Sequence, residues 1–300
     1  MDNTATYQQI VHTWLFGCLE IEDIAKSVSH IGLDGVDLSV TNANPHNNVR
    51  VLAKKDLKRV FADKGLEIKV VTPLKFDQNV NADCGNGVTR ENVTDFAKRV
   101  IELSCAVSCS RMLLAPSMIT APGGCSGSGE EARKTVVERI REVAELAENY
   151  GIMLMIEPTN RYRVGLARTI AEAVNLASET GMSNVAVVPD TFHMNIEESY
   201  DIPTAIYKWG YYIKTLHVGD NNRRPPGKGT LNWQAILLAL DKIGFDGCLS
   251  HEPVSLSFNE NQVAADPACR LKFEEELSKS VNYLKHCMKE AAAMKNISKQ

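Results

Sequence analysis

The sequence lacks several features that would assign it to other classes of protein. It has no CxxC pair, although it contains eight cysteines, which are scattered at positions 18, 84, 105, 109, 125, 248, 269 and 287. Cysteines paired at short spacing are the signature of zinc-binding motifs. Their scattered arrangement here predicts free thiols in a reducing compartment rather than a zinc site or a disulfide framework.

An excess of basic residues and a long apolar run are also missing. The formal net charge is −4 in a chain that is 23% charged and 44% hydrophobic, so nothing indicates a surface for nucleic acid. No apolar run reaches the roughly 18 to 20 residues that span a bilayer, and the first residues show no basic segment followed by an apolar one. We therefore expect a cytoplasmic protein without nucleic-acid or membrane partners.

The chain is a regular alternation of short β-branched runs and amphipathic helical segments of about 12 to 20 residues. This alternation predicts parallel strands that are joined by crossover helices. The eight candidate strands are TWLFG 13–17, GVDLSV 35–40, IKVVTPL 68–74, RMLLAPS 111–117, IMLMIEP 152–158, VAVVPDTFH 185–193, IKTLHVGD 213–220 and GCLSHEP 247–253.

Eight such units predict an α/β fold, a (β/α)8 TIM barrel that occupies residues 1–300 as a single domain. A doubly wound open sheet is the alternative. No change in composition indicates a second domain, and the Gly/Ser-rich stretch 121–131 is expected in the loop after the fourth strand. Several helical segments end on a glycine that suits the position just after a helix, namely Gly32, Gly65, Gly151, Gly181 and Gly244.

Four consecutive predicted strands end in residues that can bind a metal: Glu157, Asp190, His217 and Glu252. In a barrel, the loops that follow strands form the working face. A single acidic residue at a strand end is more often solvated or paired with a cation, but four at consecutive strand ends indicate a shared site. This donor set suits one divalent cation, with Mn²⁺ or Mg²⁺ first and Co²⁺ as an alternative.

Supporting groups lie close to these positions in the sequence. His193 follows Asp190 by three residues and is a candidate for substrate contact. In the loop HVGDNNRRPPGKG, Arg223 is expected to point inward, where its guanidinium would bind oxygens, and Arg224 outward. The remaining histidines are expected to lie outside the site: His12, His30, His46, His251 and His286.

The motifs IEPTNRY, PDTFHMNIEES, LHVGDNNRRPPGKGTLNW and HEP together resemble the sugar isomerase/epimerase superfamily of xylose-isomerase-like TIM barrels. The resemblance is strongest over 150–255 and is most specific to ketose 3-epimerases that act on tagatose and psicose. It implies one divalent metal, usually Mn²⁺, Co²⁺ or Mg²⁺, on the four strand-end residues, with Glu157 and Glu252 as the acid/base pair. It also implies a sugar substrate whose ketose end meets His193 and Arg223, and relatives often form dimers or tetramers.

One position departs from this family pattern. Ketose 3-epimerases of this type have a second glutamate six residues after the first, where it helps to bind substrate hydroxyls, and here Arg163 takes that position. An arginine only donates hydrogen bonds and is always charged, so it suits a carboxylate, a phosphate or a carbonyl group. Arg163 is therefore a substrate-binding candidate, and the departure concerns the substrate rather than the proton transfer.

Other functions are compatible with parts of this pattern. A metal-dependent lyase that cleaves 3-oxo-glycosides begins with the same proton removal next to a carbonyl, so the ligand set does not separate it from an epimerase. A zinc phosphodiesterase of the apurinic endonuclease type shares the barrel, but it uses more histidines and a basic surface that faces DNA. A metal-free binding module is the last alternative.

Overall fold

The structure is a computed structural model that describes residues 7–42, 45–74, 90–114, 130–163, 167–254 and 259–297. Its strands lie close to the predicted positions. They are β1 Gln8–His12, β2 Gly35–Val40, β3 Glu67–Pro73, β4 Arg111–Leu114, β5 Met153–Ile156, β6 Val185–Val187, β7 Thr215–Val218 and β8 Cys248–His251.

All eight strands are parallel and belong to one sheet, in the order β6-β5-β4-β3-β2-β1-β8-β7. Backbone hydrogen bonds also join the two ends of this order. Lys214 N–H donates to the Val187 carbonyl at 3.2 Å, and His217 N–H donates to the Pro189 carbonyl at 2.9 Å. These bonds close the sheet, which confirms the TIM barrel and rules out the open sheet.

Helices connect the strands and cover the outside of the barrel. They are α1 Ile21–Ile31, α2 Val49–Leu52, α3 Leu57–Ala62, α4 Arg90–Ala106, α5 Glu130–Glu148, α6 Ile170–Thr180, α7 Thr191–Glu197, α8 Ile202–Trp209, α9 Trp233–Lys242, α10 Glu260–Ala265 and α11 Pro267–Ile297. The five glycines predicted to end helical segments all have positive φ, between 65° and 87°. Each therefore supplies the left-handed conformation that turns the chain towards the next strand.

Two predicted strands differ most from the structure in their bounds. TWLFG was predicted as the first strand, but Thr13–Phe16 is a 3₁₀ helix and β1 ends directly before it. The strand predicted over 185–193 stops at Val187. Pro189 has no N–H for a sheet, and the Asp190 side chain caps α7 by accepting from Phe192 N–H at 2.8 Å.

Several predictions lie partly or wholly outside the described residues. They include positions 115–117 of the fourth predicted strand and most of the loop 121–131, and the single domain over 1–300 stays a prediction. None of the helices in the described ranges is long and apolar enough to cross a membrane. The cysteines that the structure describes are all free thiols, as predicted: Cys18, Cys105, Cys109, Cys248, Cys269 and Cys287.

The barrel interior changes from apolar to polar along the strands. Its apolar layer consists of Ile10, Val70, Leu113, Met155, Ala186, Val188 and Cys248. Side chains two residues apart on a strand point to the same face, so Glu157 lies above Met155 and Asp190 lies above Val188. Strand periodicity therefore delivers carboxylates to the carboxyl-terminal end of the barrel.

Candidate active site

The four predicted strand-end residues come together at the carboxyl ends of β5 to β8. One ligand atom from each of Glu157, Asp190, His217 and Glu252 lies within 4.8 Å of all the others. His217 Nδ1 is 3.0 Å from Glu157 Oε1 and 3.6 Å from Glu252 Oε2. The geometry thus brings three carboxylates within 4.8 Å of one imidazole nitrogen.

Asp190 uses its two carboxylate oxygens for different purposes. Oδ1 accepts the N–H of Phe192 and so caps α7. Oδ2 lies 3.6 Å from Arg223 Nη1 and 3.7 Å from His193 Nε2. The helix cap thus holds Oδ1, while Oδ2 is directed towards Arg223 and His193.

Arg223 lies over this cluster. Its Nη1 is 3.3 Å from His193 Nε2, and its Nη2 donates to Glu252 Oε2 at 3.4 Å. The guanidinium carbon is 4.9 Å from the centre of the Phe192 ring, within the distance of a cation–π contact. The structure therefore places Arg223 in contact with two of the four strand-end residues, Asp190 and Glu252.

A buried aspartate organises the loop that carries Arg223. Asp220 accepts hydrogen bonds from the N–H groups of Gly227 and Leu231 and from the indole N–H of Trp233, at 2.9, 3.1 and 3.1 Å. Burial raises the pKa of Asp220, but these hydrogen bonds outweigh burial and lower it overall. Arg223 N–H donates to the Asp220 carbonyl at 2.8 Å, and Arg223 has φ 59°, a conformation that such support must stabilise.

His193 is buried beside Asp190 and Arg223. Its Nδ1 accepts the backbone N–H of Asn160 at 3.3 Å, so in the neutral ring the proton is on Nε2. Burial lowers the pKa of His193, and the charge of Asp190 offsets only part of this effect. The neutral ring therefore presents its Nε2–H to the site, and this N–H and Arg223 Nη1 both lie near one acceptor, Asp190 Oδ2, at 3.7 and 3.6 Å.

Arg163 lies in the turn that follows β5. Its backbone N–H donates to the carbonyl of Asn160 at 2.9 Å, and Asn160 is the residue that contacts His193. The Arg163 side chain is exposed, as is its neighbour Tyr162, at 80%. The turn thus contacts the site through its backbone while these two side chains project into solvent.

The site includes two residues that the sequence analysis missed. His12 Nε2 lies 3.3 Å from His217 Nε2 and 3.4 Å from Asp37 Oδ2. The expectation that His12 lies outside the site is wrong, because β1 ends at His12 and carries it to the carboxyl-terminal face. Asp37 could have been identified from the sequence as a candidate site residue, because its carboxylate lies between Val36 and Leu38 in an apolar strand.

The buried charges of the site depend on one another. Burial and the charge of Glu157 raise the pKa of Glu252 to about 7. Burial lowers the pKa of His217, but the neighbouring carboxylates, Glu157 first, raise it to about 10. Burial raises the pKa of Glu157, whereas the charge of His217 and its hydrogen bond lower it overall. Positive charge thus stabilises these clustered carboxylates. A ligand set of carboxylate oxygens and one imidazole nitrogen suits a divalent cation.

Cation binding is expected to release protons and to weaken as the pH falls. A cation held by His217 and Glu252 competes with the protons on both groups. With pKa values of about 10 and about 7, about two protons should leave per Mn²⁺ near pH 6 and about one near pH 8. Calorimetric titration in buffers of different ionisation enthalpy measures this number. A Kd for Mn²⁺ that stays constant between these pH values would contradict the assignment.

The fold and this donor set define a (β/α)8 barrel protein with a candidate divalent-metal site at the carboxyl-terminal face of its strands. Residues 25–272 match the model of the family described as xylose isomerase-like TIM barrel. The chain belongs to this family, which confirms the resemblance noted in the sequence.

Individual relatives are sugar epimerases by name. The D-psicose 3-epimerase of Ruminiclostridium cellulolyticum is 31% identical over 238 residues, which are 78% of this chain and 76% of that protein. The 3-dehydro-D-guloside 4-epimerase of Escherichia coli is 30% identical over 134 residues, 45% of this chain and 49% of that protein. The structure of D-psicose 3-epimerase with D-tagatose from Clostridium cellulolyticum H10 matches with a TM-score of 0.75 at 22% identity, over 94% of this chain and 99% of that chain.

Proposed function

We propose that the protein is a divalent-metal-dependent sugar epimerase of the ketose 3-epimerase type, with Mn²⁺ as the first candidate cation and Mg²⁺ or Co²⁺ as alternatives. The observation that carries the proposal is the convergence of Glu157, Asp190, His217 and Glu252 within 4.8 Å. The relatives named as D-psicose 3-epimerase and 3-dehydro-D-guloside 4-epimerase support the same reaction class.

We assign the proton transfer to two of these residues. Glu157 follows β5 and Glu252 follows β8, three strands further around the barrel, so the two carboxylates approach a substrate in the mouth from different sides. One removes the proton from the carbon next to the carbonyl, and the other returns a proton to the opposite face, which inverts that centre. A divalent cation in the site supplies the positive charge that stabilises the oxyanion developing during this transfer.

We assign the binding of the carbonyl end of the sugar to two other residues. His193 offers its Nε2–H, and Arg223 offers guanidinium donors within 3.6 Å of Asp190 and Glu252. Arg223 is only 14% exposed in its side chain, so its hydrogen bonds to a substrate oxygen would form with little competition from water. Both residues orient the reacting carbon between the two glutamates.

An oxidised glycoside is a second candidate substrate besides a free ketose. Arg163 and Tyr162 are exposed in the turn next to His193, where they are available to a substituent that extends beyond one sugar ring. The E. coli relative is named as acting on a 3-dehydro-guloside. This candidate keeps the same proton transfer and changes only what the mouth of the barrel accommodates.

The substitution Arg163→Glu is expected to shift substrate preference towards neutral ketoses. A carboxylate accepts hydrogen bonds from sugar hydroxyls, whereas a guanidinium only donates. We expect the kcat/KM ratio of a free ketose to a 3-oxo-glycoside to rise by about tenfold or more, the effect of one hydrogen bond to a charged group. Steady-state kinetics on both substrates measures this ratio.

Arg163→Gln is the matched control, because it removes the positive charge without adding an acceptor carboxylate. It should move the ratio less than Arg163→Glu does. An unchanged ranking of substrates in the glutamate variant would show that Arg163 does not contact the substrate.

The proposed function is tested by incubating the Mn²⁺-loaded protein with free ketoses and with 3-oxo-glycosides in parallel, followed by product analysis by NMR. We expect one inverted centre next to the carbonyl, with the glycosidic bond intact. Release of the aglycone would identify the lyase, and an aldose product would identify an isomerase. Unchanged substrates in every reaction would refute the proposal.

A further inference from the structure

The ring of His217 lies between two different environments. Its Nδ1 faces Glu157 and Glu252, at 3.0 and 3.6 Å. Its Nε2 faces the opposite way, 3.3 Å from His12 Nε2 and 3.9 Å from Asp37 Oδ2. Only one nitrogen of a neutral imidazole has a free lone pair, so the groups around Nε2 decide whether Nδ1 can bind a cation.

The groups next to His217 Nε2 are buried and are packed between strands. Asp37 and His12 are 0% and 1% exposed, and they come from adjacent strands, β2 and β1, which are paired at this position. The His12 and His217 rings meet edge to face, with centres 4.6 Å apart and planes at 88°. The Ser250 hydroxyl lies 3.5 Å from Asp37 Oδ2. The position of the carboxylate is therefore set by three strands of the barrel.

One oxygen of Asp37 serves both imidazole rings. Oδ2 lies 3.4 Å from His12 Nε2 and 3.9 Å from His217 Nε2. A buried carboxylate is costly unless it is compensated. The two Nε2 atoms are 3.3 Å apart, so one of them donates and the other accepts, and a proton on His217 Nε2, accepted by His12 Nε2, also brings a polar hydrogen close to the carboxylate. A negative charge on this side favours the tautomer with hydrogen on Nε2, which leaves the lone pair on Nδ1.

We propose that Asp37 and His12 are positioning residues, which hold His217 with its proton on Nε2 so that Nδ1 faces the cation. The proposal rests on the metal site of the proposed function. It assigns no direct contact with cation or substrate to either residue. A carboxylate or carbonyl partner on the second nitrogen of a ligating histidine fixes the ring in many metal sites.

Asp37→Asn is expected to weaken Mn²⁺ binding by about 10- to 100-fold, the usual effect of losing such a partner. The side chain keeps its size, but it loses the charge that favours the Nε2 proton. Calorimetric titration of the whole protein with Mn²⁺ measures the Kd, and thermal unfolding without metal checks the fold. Asp63→Asn, an exposed aspartate after α3, is the matched control and should leave the Kd unchanged.

A second measurement does not depend on the variant folding. In the Mg²⁺-loaded wild-type protein, which is diamagnetic, nitrogen-15 NMR of the histidine rings should show the His217 proton on Nε2 and none on Nδ1. A proton on Nδ1 would overturn the proposal. So would an Asp37→Asn variant that folds and binds Mn²⁺ with the wild-type Kd.

A variant of His12 distinguishes a positioning role from direct binding of the cation. If His12 acts only through His217, His12→Gln should weaken Mn²⁺ and Zn²⁺ by similar factors. A loss confined to Zn²⁺ would instead make His12 a ligand in its own right, together with His217 and Glu252, and would overturn the positioning role. Should the wild-type protein bind no divalent cation, the metal requirement of the proposed function fails directly, and the positioning role fails with it.

Discussion

Replacing Glu157 or Glu252 with glutamine is expected to lower kcat by about 10²- to 10⁴-fold, the range in which a positioned acid or base contributes. Glutamine keeps the size of the side chain and an oxygen towards the site, but it cannot take up or deliver the proton. Both residues reach the same nitrogen of His217, so each loss removes one face of the proposed transfer. Solvent deuterium incorporation and KM are measured for each variant.

Glu179→Gln is the control for this pair. Glu179 lies near the end of α6 and forms an exposed ion pair with Arg133, so its replacement should leave kcat within a factor of two or so of the wild-type value. If both the Glu157 and Glu252 variants retained deuterium exchange at the wild-type rate, the assignment of the acid/base pair would be wrong.

Removing divalent cations with a chelator is expected to abolish turnover and to lower the melting temperature, and Mn²⁺ should restore both. A ligand that binds only the folded state stabilises it by about 2.7 kcal/mol at 100 times its Kd. For a chain of this size, that corresponds to a rise on the order of 5 °C. The reason is the set of three carboxylates close to His217, one buried and two partly buried, whose negative charge a cation would neutralise. Differential scanning calorimetry with and without Mn²⁺ measures the change.

The variant Asp190→Asn tests whether stabilisation by Mn²⁺ depends on the proposed ligands. It keeps the acceptor oxygen that caps α7 but removes one negative charge from the ligand set. We expect the Mn²⁺-dependent rise in melting temperature to shrink in this variant. Purified protein that contains no divalent metal, with a melting temperature that Mn²⁺ does not change, would instead support a metal-free binding module.

The barrel and four of the site residues could be predicted because local sequence signals mark where the strands end. The apolar layer of a barrel strand requires hydrophobic residues, so a carboxylate that follows such a run, as Glu157 and Asp190 do, marks the point where the chain leaves the interior. Glycines such as Gly181 and Gly244 mark where helices end. These signals depend only on neighbours in the chain.

The first strand was harder to predict because its polar residues are satisfied by distant partners. Gln9 is fully buried, and its side chain bonds to His251 and to the Val281 carbonyl, which are 242 and 272 residues away. The apolar residues of TWLF instead favoured a strand at 13–17, directly after the observed β1 at Gln8–His12. With β1 misplaced, His12 fell before the strand instead of at its carboxyl end.

Asp37 and the contacts of Arg223 illustrate the same limit. Asp37 gains its role from His12 and His217, which reach it from β1 and β7. The position of Arg223 depends on Asp220, which accepts hydrogen bonds from backbone groups as far away as Leu231, eleven residues later. Local pattern predicts which groups reach the mouth of the barrel, whereas their pairing depends on the closed barrel.

We propose that this site removes and returns a proton next to a carbonyl with the help of a divalent cation. The most direct measurement is NMR detection of deuterium in the recovered sugar after incubation of the Mn²⁺-loaded protein in D₂O with ketoses, ketose phosphates and 3-oxo-glycosides. We expect deuterium at the carbon next to the carbonyl of at least one of them, and none after chelation. The absence of exchange in every sugar tested, from protein shown to hold Mn²⁺, would contradict the claim.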